Sequence, residues 1–314
     1  MSDIKIATRE AFGKALVEFA NDYDFVVMDA DLAEATKTNM FKKEFPERFF
    51  DTGIAEGNMM STAAGIATTG KTVFAASFAM FASGRAFEQV RNSICYPKLN
   101  VKVVGTHGGI SVGEDGATHQ CLEDLAIMRA IPNMVVISTC DGVETKAAVK
   151  AALEHNGPVY LRFCRLATGL IHDENNFNFE IGKGIQVKEG TDVTLVGTGI
   201  VLNFALEAAK LLEKEGISAR VIDIHTIKPI DKDLLVKAAK ETGAIVTVEE
   251  HNILGGLGSA VAEAVCEEYP VPVVKVGVED KFGTSGKPAE LFEMFGLTPE
   301  NIAEKAKKAI SLKK

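Results

Sequence analysis

Short apolar runs rich in β-branched residues alternate with longer stretches of helical periodicity along nearly the whole chain, and this alternation constrains the fold more than any other feature. Val73–Ala76 is apolar throughout, and Val101–Gly105 and Val159–Phe163 are interrupted only by Lys102 and Arg162, rather than polar at every second residue. Strands of that kind need cover on both faces, which a parallel sheet flanked by helices provides. The reading is therefore α/β, with βαβ units as the repeating element. In the first half, strands are predicted at Phe25–Met28, Val73–Ala76, Val101–Gly105, Met134–Ser138 and Val159–Phe163. Helices are predicted at Thr8–Asn21, Glu56–Thr69, Phe78–Tyr96, Cys121–Ala130 and Gly142–His155. From Ile171 to Lys183 the pattern gives way to Asp, Glu, Asn and Gly, the composition of a linker. A second alternation follows, with strands at Asp192–Val196, Arg220–Ile224, Ile245–Val248 and Val273–Val276. Its helices are placed at Val201–Lys214, Asp231–Glu241, Gly258–Glu268, Pro288–Phe295 and Pro299–Ile310. The expected layout is one α/β domain over 1–170, a linker over 171–185, and a second over 186–314.

Length agrees with that division, since 314 residues at roughly 150 per domain make two domains. The formal net charge of −9 disfavours nucleic acid or an acidic membrane surface as a partner. Five cysteines (Cys95, Cys121, Cys140, Cys164 and Cys266) are odd in number and lack CxxC spacing, so they read as reduced thiols. Met1-Ser2-Asp3-Ile4-Lys5 lacks the basic and apolar regions of a secretory signal, and cytoplasm is the expected location. The weakly polar stretch Ala63–Gly84 is interrupted by Lys71 and by several Thr, Ser and Gly, which argues against a membrane span.

Ligands of open parallel sheets bind at the carboxyl ends of strands, and this chain gathers polar residues there: Asp29, Asp31, Glu56, His107, Asp115, His119 and Arg165. The loop Thr106–Gln120 carries four glycines, two imidazoles and two carboxylates, a composition suited to polar small-molecule chemistry. It has neither an i,i+4 histidine pair nor a cysteine cluster, so no metal ligand is assigned. Phe78, Phe81 and Arg85 share one helical face, which reads equally as core packing or as an aromatic wall for a flat heterocycle. Gly197-Thr198-Gly199 starts a dinucleotide fingerprint that Leu202 breaks. Gly255-Gly256-Leu257-Gly258 opens a helix, and His251 is expected on a solvated rim. No HExxH is present.

Gly53-Ile54-Ala55-Glu56, Phe78-Ala79-Met80-Phe81 and Gly113-Glu114-Asp115-Gly116-Ala117-Thr118-His119-Gln120 resemble transketolase. The resemblance spans the chain but only the second half of a conventional transketolase, its pyrimidine-binding domain followed by its C-terminal domain. The Gly-Asp-Gly motif of the family's diphosphate domain occurs nowhere in the sequence. The resemblance implies a C-terminal subunit of a split transketolase, using thiamine diphosphate and magnesium, with the metal held mainly by the partner. That partner is an N-terminal subunit bearing the diphosphate domain, in an α2β2 heterotetramer acting on sugar phosphates. It further implies that Glu56 bonds N1′ of the aminopyrimidine, that Phe78 and Phe81 pack around that ring, and that Asp31 lies near the cofactor. His107 and His119 match histidines that bond donor and intermediate oxygens, Asp115 matches the reader of an α-hydroxyl, and Arg9 and Arg165 match the arginines that clamp the sugar phosphate. Two positions depart from the family pattern: Gly84 replaces a frequent tyrosine, and Ala35 replaces a phosphate-binding serine. Asp280-Lys281-Phe282-Gly283-Thr284-Ser285-Gly286 also resembles deoxyxylulose-phosphate synthase, which usually carries arginine at the position of His107. The β subunit of a 2-oxo-acid dehydrogenase decarboxylase component shares the two-domain layout without the Gly113–Gln120 loop.

Overall fold

A computed structural model describes residues 5–313; the reading of Met1–Ile4 as lacking a signal lies outside them. Seven strands form the larger sheet in the order Thr226–Lys228, Val135–Ser138, Val159–Arg162, Val101–Thr106, Thr72–Phe78, Phe25–Asp29, Phe49–Asp51. The smaller sheet has five, Val273–Val278, Ile245–Asn252, Val193–Gly197, Ala219–Asp223 and Ile185–Lys188. Lys5–Ala7 and Ala167–Gly169 add a two-stranded antiparallel ribbon. The α/β class holds, and the sheets are mostly parallel. Each nevertheless carries one antiparallel edge strand, Thr226–Lys228 in the first and Ile185–Lys188 in the second, where wholly parallel sheets were expected. Thr226–Lys228 has only three residues, and Ile185–Lys188 alternates apolar with polar residues, so neither is a continuous apolar run.

The strands bury both faces, as their composition requires. Along Thr72–Phe78, Val73 and Ala75 pack on one side with Met59, Met60 and Ala63 of helix Glu56–Ala67. Phe74 and Ala76 pack on the other with Phe12 and Leu16 of helix Thr8–Phe19. Alternate residues therefore serve two separate cores. The first of these cores continues through Leu125, Ile224 and Ile227 into Ile222, Ile245 and Leu257 of the second half. Because Thr226–Lys228 leaves the smaller sheet after Asp223 and pairs with Val135–Ser138, the two halves share backbone hydrogen bonds as well as apolar contact.

Local signals locate most helix ends. Asp231 accepts the Leu234 N–H at 3.1 Å, and Thr298 accepts that of Asn301 at 3.3 Å with Pro299 at the first helical position. The helix expected over Phe78–Tyr96 is different. Phe78 ends the strand, and the segment then winds through a π-helical turn at Met80–Arg85, a short α-turn at Phe87–Gln89 and a second π turn at Val90–Cys95. A Cβ built on Gly84 would collide with the Met80 methyl, so the Met80 side chain occupies the space that a side chain at 84 would need. The helix expected from Cys121 starts only at Asp124, because Cys121 bridges to Gly108. None of the helices among the described residues is long and apolar enough to cross a membrane.

Candidate active site

Glu56 is the first residue of helix Glu56–Ala67, at the positive end of its dipole, and is 1% exposed. Its Oε1 accepts a hydrogen bond from Ser77 Oγ at 3.3 Å and its Oε2 one from Arg85 Nη1 at 2.8 Å. The Arg85 side chain is half-exposed, with its guanidinium 4.5 Å over the Phe81 ring. Phe81 stacks on Phe78 with centroids 5.8 Å apart, Phe78 stacks on His107 at 3.9 Å, and His119 meets both phenyl rings edge-on at 6.2 and 5.4 Å. The π turn places Phe81 and Arg85 together beside Glu56, at a position where such turns often accompany function.

His107 is 3% exposed and takes a left-handed backbone conformation with φ 58°, costly for a residue with a side chain. Two side-chain contacts hold it there: Arg9 Nη1 lies 3.0 Å from Nε2 and Thr106 Oγ1 lies 2.9 Å from Nδ1. A guanidinium only donates, so Nε2 is an unprotonated acceptor and the ring proton sits on Nδ1, donated to Thr106 Oγ1. Burial, then Arg9 and Arg165, push the imidazole pKa down to about 3, and the ring is neutral at physiological pH. Thr106 Oγ1 donates onward to the Ser77 carbonyl at 3.3 Å. Hydrogen bonds thus run from Arg9 through His107, Thr106 and Ser77 to Glu56, which puts the carboxylate and His107 on one rim of the sheet.

Arg9 also donates to the Ala35 carbonyl at 2.8 Å, the position where the family pattern has serine. Burial and the nearby Arg165 lower its pKa, the mark of two cations facing one mouth. Arg165 donates to the Val112 carbonyl at 2.6 Å and approaches Glu114 at 3.7 Å. Glu56, Phe78, Phe81, His107, His119 and Arg9 therefore form one continuous set of contacts, with Arg165 beside it. Asp31 and Asp115 are exposed and outside that set; Asp31 is tied in by its backbone, whose N–H donates to Asp51 Oδ1 at 3.1 Å.

Beneath Asp31, Asp29 is fully buried and accepts from the Leu32 N–H and the Thr36 and Thr38 hydroxyls at 2.7 to 2.8 Å. Burial outweighs these bonds and pushes its carboxyl up to about 6. Folding then takes up a proton between the unfolded value near 4 and pH 6, so this group's contribution to stability falls as pH rises through that window. Asp29→Asn keeps an acceptor for Leu32 and donates to the threonines. It is expected to abolish that part of the pH slope, measured by urea denaturation at pH 4.5 and 7; an unchanged slope would contradict the assignment.

Several supporting residues escaped the sequence reading. Glu250, from the second half, accepts the Ser111 N–H at 2.5 Å, with its carboxyl pushed up to about 7 by burial. Buried Gln120 donates to the Ile110 and Thr284 carbonyls at 3.2 and 2.9 Å. These two side chains brace the glycine-rich loop against the second half. His251, expected on a rim, is fully buried, and its Nε2 accepts the Ala126 N–H at 3.4 Å; the two halves close over it. The Gly255–Gly258 helix start is occupied by the carboxylate of Glu249, which accepts from Leu257 and Gly258 at 2.6 and 2.8 Å.

Comparison with known proteins identifies the family. Residues 4–169 match the family described as the transketolase pyrimidine binding domain, and residues 182–302 the transketolase C-terminal domain. A putative transketolase C-terminal section from Methanocaldococcus jannaschii is 50% identical over 97% of this chain and 96% of its own length. A 6-deoxy-6-sulfo-D-fructose transketolase subunit from Clostridium sp. is 44% identical over 95% of this chain and 92% of its own. A solved structure described as a split gene transketolase, inactive beta4 tetramer, superposes with a TM-score of 0.93 at 55% identity, covering 98% of this chain and all of that one. The chain belongs to the transketolase family, with the layout of the C-terminal subunit of a split transketolase.

Proposed function

We propose that this chain supplies half of the active site of a thiamine-diphosphate and magnesium transketolase, moving a two-carbon ketol unit between sugar phosphates. An N-terminal subunit carrying the diphosphate and metal sites would complete it, in an α2β2 assembly. The observation that carries the reading is the placement of buried Glu56 beside the stacked Phe78 and Phe81, on the same hydrogen-bonded rim as His107. The coenzyme's pyrimidine fits these groups. Glu56 offers a carboxylate oxygen whose present partner, Arg85, is half-exposed and free to swing away, and the stacked phenyl rings offer an apolar wall. When bound, thiamine diphosphate supplies the carbanion chemistry that two-carbon transfer requires.

This chain's own residues do the rest. Glu56 would hydrogen-bond the pyrimidine N1′ and hold a proton there, which would set the ring's tautomer. His107, proton fixed on Nδ1, can accept at Nε2 once Arg9 turns toward substrate; His119 at the loop's end reaches substrate oxygens. By the family resemblance alone, Asp115 would read the α-hydroxyl and Asp31 would lie near the coenzyme, although both are exposed and outside the contact set. Arg9 and Arg165 neutralise the terminal anion of the sugar, and a guanidinium fork meets phosphate or sulfonate oxygens alike. The Clostridium relative, described as a sulfo-sugar transketolase subunit, supports the wider anion class.

The test is to offer the reconstituted complex xylulose 5-phosphate, 6-deoxy-6-sulfo-D-fructose or pyruvate as donor, each with an aldose phosphate acceptor. Two-carbon transfer from either sugar is expected. Turnover of pyruvate alone would instead assign the chain to a deoxyxylulose-phosphate synthase-like or 2-oxo-acid decarboxylase reaction.

A further inference from the structure

A second group of chemically capable side chains lies away from this crevice, where the two halves and the linker meet. Cys140 follows strand Val135–Ser138, and Glu144 stands in the first turn of helix Gly142–Glu154. His172 comes from the linker, and Asp223 ends strand Ala219–Asp223 of the smaller sheet. One ligand atom from each, Cys140 Sγ, Glu144 Oε, His172 Nε2 and Asp223 Oδ, lies within 4.8 Å of all the others. We propose that these four residues bind one divalent transition-metal ion, zinc in the first instance, which pins both halves and the linker together.

Charge and hydrogen bonding point to a cation. Glu144 and Asp223 are both fully buried, and Glu144 Oε1 and Asp223 Oδ1 have no hydrogen-bond partner, a costly state that most buried polar atoms avoid. Among the described residues no lysine or arginine pairs with either; the one basic group against them is His172, at 3.7 and 2.9 Å. A third carboxylate, Asp141, is adjacent and is spent on backbone, capping Glu144 N–H at 2.8 Å and accepting from Ile171 and His172 N–H at 2.7 and 2.9 Å. The cluster thus concentrates acidic groups in a place that water does not reach.

The donor set chooses the metal. Calcium and magnesium take oxygen ligands, whereas sulfur, imidazole nitrogen and two carboxylates suit tetrahedral zinc. Zinc bond lengths of about 2.0–2.3 Å give tetrahedral edges of about 3.3–3.7 Å. The observed Cys140 Sγ–Asp223 Oδ2 separation is 3.5 Å and His172 Nε2–Glu144 Oε1 is 3.7 Å. The His172–Asp223 contact at 2.9 Å opens by about half an ångström to admit the ion, since it then exchanges a hydrogen bond for two metal bonds. An outer layer already orients the ligands: the Cys140 N–H donates to Glu144 Oε2 at 2.7 Å, and Asp141 fixes the His172 backbone.

Cobalt(II) titration of the chelator-treated full-length chain tests the site. One equivalent is expected to bind with visible bands of tetrahedral cobalt and a thiolate-to-cobalt charge-transfer band, to be displaced by zinc, and zinc is expected to raise the melting temperature. Cys140→Ser should abolish the charge-transfer band and weaken zinc binding by at least about a hundredfold, whereas Cys266→Ala, at the exposed cysteine, should change neither. Absence of saturable cobalt bands in the unmodified chain overturns the proposal, whatever the variants do. So does a charge-transfer band that survives Cys140→Ser or disappears with Cys266→Ala; the first outcome would mean that Glu144 and Asp223 share a proton instead.

Discussion

Glu56→Gln in the assembled enzyme is expected to lower two-carbon transfer by about a hundred- to ten-thousandfold, the usual range for loss of a positioned proton carrier. The amide keeps the side chain's size and still accepts from Ser77, so the helix start and the core around Met59 and Met60 are undisturbed. It cannot take the proton that a carboxylate takes. Arg85, half-exposed, loses a charged partner but turns to solvent at little cost. The defect should therefore appear in kcat, with an unchanged melting temperature, and should deepen little in Glu56→Ala. A variant that retains more than about a tenth of the rate would remove Glu56 from its assigned role.

The second large effect is on stability. Asp124 is fully buried and accepts from Arg162 Nε at 2.7 Å and from the Tyr160 hydroxyl at 2.8 Å. Arg162, 2% exposed, also donates to the Cys121 and Glu250 carbonyls at 3.3 and 3.0 Å and so ties the far end of the glycine-rich loop to the second half. Burial is the largest influence and opposes its charge, but Asp124, Cys164 and Glu250 together outweigh it, so the guanidinium is held above its ordinary pKa. Asp124→Ala strands a buried cation and is expected to cost about 3–5 kcal/mol in urea denaturation. Replacing both partners, as Asp124→Leu with Arg162→Met, should recover much of that loss, because no charge is then left unpaired. A single-variant cost below about 1 kcal/mol would mean that the pair does not hold the interface.

The parts of the fold that depend on local pattern were legible in the sequence. Strands such as Thr72–Phe78 announce themselves by the apolar run Val73–Ala76, and caps such as Asp231 and Thr298 by residue type. Thr226–Lys228 was invisible, since three residues carry no periodicity and their partner strand lies about 90 positions earlier in the chain. The π turns after Phe78 escaped for a related reason: a one-residue excess in a helix does not disturb its composition. Within the site, the residues carried by strand ends and by the glycine-rich loop were found, because chemistry-bearing side chains stand out there. Ser77, Thr106 and Gln120 were missed as ordinary polar residues whose importance lies in what they touch. Cys140, Glu144, His172 and Asp223 have no spacing in common; three separate chain segments bring them together.

The most direct measurement of the central claim is the rate of two-carbon transfer by the purified chain, with thiamine diphosphate and magnesium, before and after addition of an N-terminal subunit bearing the diphosphate site. Negligible turnover alone and full turnover in the mixture are predicted, because in the proposed reading Glu56 and the stacked phenylalanines supply only one side of the coenzyme site. Turnover by the chain alone, at a rate the partner does not raise, would contradict the account.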